Sequence, residues 1–486
     1  MQNIDPMQII EQPMWIGGKD VVSSDRFQIR DPGRLTDTVG WVSAASAADV
    51  DAAVRAAHAV FADWKAQSVP DRLAGIRKAA DLIEQSAAAL SVILVREQGM
   101  LLAETRRDVA NGARSLREAA KLAEGFLVHE EFEDDEALIQ IHKVPHGVIA
   151  VIVPWNAPIG LTMGKVGPAL LTGNTVVVKP SERAPLATSL ALRLLASCLP
   201  AGVLNIVHGD AGTGTALARH PLVRKISFTG GTLAGRSVMQ AAAETVKRLN
   251  LELGGNDPAI VLDDAEPETL AAEMVKGIFP RSGQVCYAIK RVYVPRPLAG
   301  RLLDALVAQI DRFRIGHGLN PQATLAPVNN AHQFDFVSQL IASAKPCARV
   351  VLELGAQLEP DQWSNGYYIR PTVAFDIPPD HVLVVREQFG PVIPIVLYDS
   401  VEEVLAMANW TEFGLGSSVW TRDPQRGLAV ARQIEAGITF VNSHRRTALG
   451  DERMPFGGVK QSGIGRSRTP IGMAEYIDYH AISVNK

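Results

Sequence analysis

Residues 147–153, GVIAVIV, decide the fold. The run is too short to cross a membrane, which takes roughly 18 apolar residues, and its β-branched content marks it as a strand buried on both faces. Downstream, NTVVVKP (174–180), LNIVHG (204–209), VRKISFTG (223–230) and RLNLELGG (248–255) repeat the signal, with helix-like segments such as APLATSLALRLLASC (184–198) between them. Doubly buried strands alternating with helices of that length are βαβ units of a parallel sheet, the doubly wound layout that binds nucleotides. A second alternating series, through PAIVLDD (258–264), RVYVP (291–295), PVIPIVLY (391–398) and SSVWTRD (417–423), predicts another α/β domain. The boundary falls near Gly254 and Gly255.

Upstream, SAADVDAAVRAAHAVF (46–61) has Ser46 and Asp49 in capping-box spacing ahead of an apolar helical face, and more helix is predicted from Asp71 to about Gly125. This first part therefore reads as mostly helical. FLVHEEFEDDEALIQIHKVP (126–145) and EYIDYHAISVN (475–485) alternate apolar and polar residues as edge strands do. Unpaired edges invite a partner subunit, so a homodimer or homotetramer is expected.

The chain of 486 residues is 47% hydrophobic, enough for large cores. Its 48 basic against 52 acidic residues give a net charge of -4, which argues against nucleic acid as a partner. No apolar run is long enough for a membrane span, and MQNIDPMQII has no secretory pattern, so a cytoplasmic location is expected. Three scattered cysteines, Cys198, Cys286 and Cys347, make neither a disulfide frame nor a zinc site, and no metal is expected.

Several phrases carry chemistry. FTGGTLAGRS (228–237) is a near miss for a Walker loop, with Arg236 at the lysine position, and its glycines have the wrong gaps for GxGxxG. Alone it is equally a tight strand-to-helix bend, although any helix start there offers free N–H groups to a phosphate. Lys179 and Glu182 sit at the carboxyl edge of a strand, where they can bracket the ribose hydroxyls of an adenosine; an ordinary solvated strand end is the alternative. Cys286, in SGQVCYAIKR, lies in a short polar segment rather than an apolar helix. Cysteine is a strong nucleophile once deprotonated, and a helix start nearby lowers its pKa, although most free cysteines are buried small hydrophobes. Glu252 ends an apolar strand, where a raised pKa suits a general base; a salt-bridged glutamate is the alternative. Asn156, in the turn VPWNAP, can donate to a developing oxyanion or simply form the turn.

Taken in order, PWNAP, KPSE, FTGGTLAG, LELGG, GQVC, EQFGP and MPFGGVKQSGIGR resemble the NAD(P)-dependent aldehyde dehydrogenase superfamily over almost the whole chain. The resemblance implies a Rossmann-like cofactor domain (1–125 and 146–254), a catalytic α/β domain (255–455) and an oligomerisation arm (126–145 and 470–486). It implies that Cys286 attacks an aldehyde and forms a thiohemiacetal, its oxyanion held by the Asn156 amide and the Cys286 N–H, and then a thioester that water activated by Glu252 hydrolyses. Lys165 assists proton transfer. Cofactor contacts are implied for Trp155, Lys179, Glu182, the Gly230, Gly231 and Gly235 turn, Glu387 and Phe389. Glu182 would repel a 2′-phosphate, favouring NAD, while a shifted side chain would also accept NADP. A CoA-acylating route is disfavoured by Glu252, and Arg445 and Arg446 raise the alternative of an anionic semialdehyde. Three positions depart from the family pattern: Gly231 for serine, Ser467 for a second glutamate and Asn256 for lysine. The second leaves Glu252 with less expected support. Small Ala157 and Gly164, with Tyr287 and His444 nearby, suggest a roomy tunnel for a medium or bulky aldehyde.

Overall fold

The computed structural model describes residues 5–447 and 449–486. Strands β1 (Val148–Ile152), β2 (Thr175–Lys179), β3 (Leu204–Ile206), β4 (Val223–Thr229) and β5 (Arg248–Glu252) form a parallel array in the spatial order β5-β4-β1-β2-β3. Every residue of β1 and β2 is buried, which is why these strands are continuous apolar runs rather than alternating ones. The order reverses between β1 and β4. The cleft outside their carboxyl ends is where a doubly wound sheet binds its ligand.

The second sheet is built from β6 (Asp257–Val261), β7 (Ile289–Pro295), β8 (Thr372–Phe375), β9 (Val392–Tyr398), β10 (Gly416–Trp420) and β11 (Ile438–Val441). They are all parallel, in the order β8-β9-β7-β6-β10-β11, with Val350–Glu353 antiparallel on the β8 edge. Only Leu253–Asn256 separates β5 from β6, so the glycine pair lies where the chain passes between the sheets.

The expected helical region holds α1 (Ala47–Ala59), α2 (Val69–Gln85), α3 (Ala87–Gln98) and α4 (Leu102–Phe126). The capping box of α1 forms as the sequence predicts, with the Ser46 hydroxyl accepting from the Asp49 N–H. The chain turns at Gly99, whose φ of +95° suits glycine. Ahead of α1 the structure differs from the helical reading. Ile10–Gln12, Arg26–Asp31 and Arg34–Ser43 make a small sheet, and the hairpin Met14–Ile16/Lys19–Val21 extends the first sheet beside β3. Most of these strands are short or polar, so hydrophobic periodicity does not mark them.

Glu130–Glu133, Ala137–Pro145 and Ile477–Asn485 form a separate antiparallel sheet, registered from Ile477 opposite Pro145 to Asn485 opposite Ala137. Phe132, Ile139, Tyr479, Ile482 and Val484 are exposed on it. No helix among the described residues is long and apolar enough to cross a membrane.

Candidate active site

At the end of β1 the chain turns through Trp155 and Asn156 and enters α5 (Pro158–Leu171). The first amides of α5, on Ile159 and Gly160, donate to Asp108 Oδ2 at 3.0 and 3.4 Å. Asp108 belongs to α4, so one buried carboxylate caps the helix that follows the turn. Its other oxygen accepts from Arg281 Nη2 at 3.2 Å, while Arg281 Nη1 donates to the Asn156 carbonyl at 2.6 Å and the Arg281 N–H to Glu104 Oε1 at 2.7 Å. Arg281 therefore ties the asparagine turn to the segment that leads to Cys286. Sequence reasoning missed it, because its partners lie far away along the chain.

That segment is bent hard. Arg281, Ser282 and Gly283 have φ of 51°, 57° and 77°, left-handed backbone that costs a non-glycine residue about 1–2 kcal/mol each. A Cβ on Gly283 would sit 2.2 Å from the Gly390 carbonyl, so nothing larger fits. Ser282 Oγ donates to Ala326 O at 2.6 Å, and Gln284 Oε1 accepts from the Asn329 N–H at 2.9 Å. The buried Asn156 amide donates to Gln284 O at 3.0 Å, which brings it to the segment that carries Cys286. Cys286 is half-buried and packs with Tyr287 and Met454 against Leu415, Ile438, Phe440 and Phe456. No helix starts at Cys286, contrary to what a lowered pKa would require; burial instead pushes its thiol up to about 12.

Glu252 ends β5 and is buried. Its Oε1 accepts from Ser467 Oγ at 2.9 Å, while Oε2 has no partner among the described residues. The position that departs from the family pattern thus supports Glu252 directly. Burial raises the Glu252 carboxyl to about 7, and Lys165 and the Ser467 hydroxyl pull the other way. Lys165, from α5, donates to Ser227 Oγ at 3.1 Å and more loosely to Phe228 O and Asn250 Oδ1, both at 3.4 Å. Burial lowers its ammonium to about 8.

At the carboxyl edge of the first sheet, Lys179 is buried at the end of β2, with Nζ 3.4 Å from Glu182 Oε2, and burial lowers its pKa. Gly230 is anchored by its N–H to the Glu252 carbonyl at 3.1 Å. Gly231 is the N-cap of α6 (Thr232–Ala243), with no side-chain cap and open space where a Cβ would be. Gly235 lies against Leu253, where a Cβ would meet Cδ2 at 2.5 Å. The uncapped amides beside open space fit a phosphate-bearing ligand. Glu387 Oε1 accepts from the Gly255 N–H at 3.1 Å, and burial raises the Glu387 pKa. The rings of Trp155 and Phe389 meet edge to face, with centroids 5.4 Å apart.

Tyr287 and Phe456 make a second edge-to-face pair at 5.1 Å. His444 is buried rather than lining a tunnel, its Nε2 donating to Tyr287 O at 2.9 Å. Asn256 is also internal and donates to Val384 O at 2.8 Å. Among the described residues no group of His, Cys, Asp and Glu is arranged to hold a metal ion.

A Rossmann-order sheet joined to a second parallel sheet, with a cysteine, an amide and a buried carboxylate gathered where they meet, defines an NAD(P)-dependent oxidoreductase. Residues 20–482 match the Aldehyde dehydrogenase family, and the chain belongs to it. It is similar to a solved mutant of Aldehyde Dehydrogenase C (AldC) from Pseudomonas syringae in complex with NAD+ and octanal, at 33% identity and a TM-score of 0.91, covering 97% of this chain and 96% of that one. An NADP dependent enzyme from E. coli is 31% identical, with a TM-score of 0.92 and 98% of each chain covered. PnpE from Pseudomonas sp. WBC-3 is 34% identical, with a TM-score of 0.92 and 98% of each chain covered.

Proposed function

We propose that the chain performs the NAD(P)-dependent oxidation of an aldehyde to its carboxylic acid through a thioester on Cys286. The observation that carries this reading is the convergence of the Asn156 amide on the Cys286 segment, with a buried, half-unpaired Glu252 on the adjoining strand end. The Cys286 thiolate attacks the carbonyl carbon, forming a C–S bond and an oxyanion. Asn156 spends one amide N–H on Gln284 O and has a second to offer that oxygen, together with the Cys286 N–H. NAD(P), when bound, supplies the hydride acceptor that turns the thiohemiacetal into a thioester. Glu252 then takes a proton from water as its oxygen attacks the thioester carbonyl; the C–S bond breaks, and acid and thiolate are released. A carboxyl held near 7 is matched to that task at neutral pH. Lys165, buried beside Glu252, steadies the carboxylate and assists proton transfer.

Lys179 and Glu182 would hold the adenosine ribose, Gly230, Gly231 and Gly235 the pyrophosphate region, and Glu387, Phe389 and Trp155 the nicotinamide end. NAD is the expected preference, because Glu182 opposes a 2′-phosphate. The division into a cofactor domain (1–125 and 146–254), a catalytic domain (255–455) and an arm (126–145 and 470–486) is supported by the sheets, which split at Gly254–Gly255. The exposed apolar side chains of the arm sheet support a homodimer or homotetramer built through it.

A medium or bulky aldehyde fits best. A Cβ on Gly164 would meet only Ser115 Oγ, at 3.9 Å, so that helix face leaves room, and the Tyr287–Phe456 pair offers an aromatic wall. A panel of aliphatic, aromatic and carboxylate-bearing aldehydes, run with NAD and with NADP and followed by reduced nicotinamide, tests the reading. It fails if no aldehyde is oxidised, and the size assignment fails if only two- or three-carbon aldehydes turn over. Added CoA should leave the rate unchanged.

A further inference from the structure

The buried Lys290, on β7, has no part in the chemistry derived above. Its Nζ donates to Val285 O at 2.6 Å and to Cys286 O at 3.1 Å, lies 3.9 Å from Glu387 Oε1 and stands 5.6 Å over the Phe389 ring. Its side chain is 3% exposed. A buried ammonium is costly unless it is paired or fully bonded, and neutral side chains can serve as structural donors to carbonyls at less cost. Two carbonyls and the nearby Glu387 offset that cost, but the choice of a cation at this place needs a reason.

The groups that face Cys286 supply one. Glu252 approaches from the end of β5, Asp257 from the start of β6 and Glu387 from the segment ahead of β9, and each disfavours a thiolate. Lys290, from β7, acts in the opposite direction. We propose that Lys290 is a positioning residue for the nucleophile: its ammonium, fixed beneath Cys286 by the carbonyls of Val285 and Cys286, offsets three surrounding carboxylates and keeps the attacking form of the sulfur within reach. The same contacts hold the peptide of Cys286 and restrain Glu387, which places one cation between the nucleophile and the nicotinamide end. This rests on the reading of Cys286 as the nucleophile.

The test follows alkylation of the Cys286 peptide by iodoacetamide with mass spectrometry, which separates it from Cys198 and the exposed Cys347. Rates are taken across pH for the parent and for Lys290→Met, Lys290→Arg and Glu387→Gln, without cofactor, each checked for folding by thermal melt. Lys290→Met should slow alkylation at pH 8 by about tenfold or more, one pH unit in midpoint being a factor of ten. Lys290→Arg, which keeps the charge, should recover most of that loss, and Glu387→Gln should speed alkylation. An unchanged profile in folded Lys290→Met overturns the proposal. Should that variant not fold, Glu387→Gln decides, and alkylation no faster than in the parent overturns it. Failure of the underlying reading looks different: Cys286→Ala would still oxidise aldehyde.

Discussion

Replacing Ser467 with alanine tests the most unexpected contact in the site. Among the described residues the hydroxyl supplies the only hydrogen bond to the Glu252 carboxyl, at 2.9 Å, and leaves Oε2 bare. A hydrogen bond to a charged group is worth about 1.5–3 kcal/mol, and about 1.4 kcal/mol corresponds to one pH unit. Water entering the space left by the hydroxyl returns part of this, so the low end applies and the midpoint rises by about one pH unit. The bond favours the ionised carboxyl, so its loss raises a value already lifted to about 7 by burial. A base must be ionised to accept a proton. Ser467→Ala should therefore hydrolyse the thioester about five- to tenfold more slowly at pH 7 and converge on the parent above about pH 9. The assay is kcat across pH 6 to 10 together with a rapid-mixing trace, in which the variant should show a burst of reduced nicotinamide at pH 7 as acyl-enzyme accumulates. Ser467→Thr, which keeps the hydroxyl, should restore the parent profile. A Ser467→Ala profile superimposable on the parent would refute the assignment of Ser467 as the support of Glu252.

Other outcomes are equally direct. Cys286→Ala should abolish production of reduced nicotinamide while NAD binding, measured by calorimetry, persists; surviving turnover would remove the nucleophile. Arg281→Met strands the carboxylate of Asp108, so urea denaturation should reveal a loss of about 3–5 kcal/mol, and a loss below about 1 kcal/mol would mean the Arg281–Asp108 pair holds nothing. Glu182→Gln should raise the NADP-to-NAD ratio of kcat/KM about tenfold by removing a like charge from the 2′-phosphate; an unmoved ratio would place the adenosine ribose elsewhere. Deleting residues 477–486 should lower the molecular mass in sedimentation velocity to that of a smaller assembly or a monomer, and an unchanged mass would acquit the arm.

The runs at β1, β2 and β6 were legible because strands buried along their whole length are apolar at their centres, and that constraint is written in consecutive positions. Cys286, Asn156 and Glu252 were legible as individual residues, each in a phrase of its own. What held them was not. Arg281 meets Asp108 and Asn156 across 173 and 125 positions, and Ser467 reaches Glu252 across 215. Such pairings are made by the crossing of two sheets and leave no local periodicity. Ser467 illustrates the limit well: read in place it is a missing acid, and folded it is a hydroxyl bonded to Glu252. The high thiol pKa of Cys286 was equally hidden, since it arises from burial and from carboxylates on three separate strand ends or loops.

Gly463–Ile464 adds to the first sheet beside β5, Ser467 follows it, and Ile477–Asn485 closes the arm. A strand late in the sequence therefore finishes a sheet whose other strands come much earlier in it. A chain lacking residues 463–486 would bare the β5 edge and leave Glu252 without the hydroxyl of Ser467.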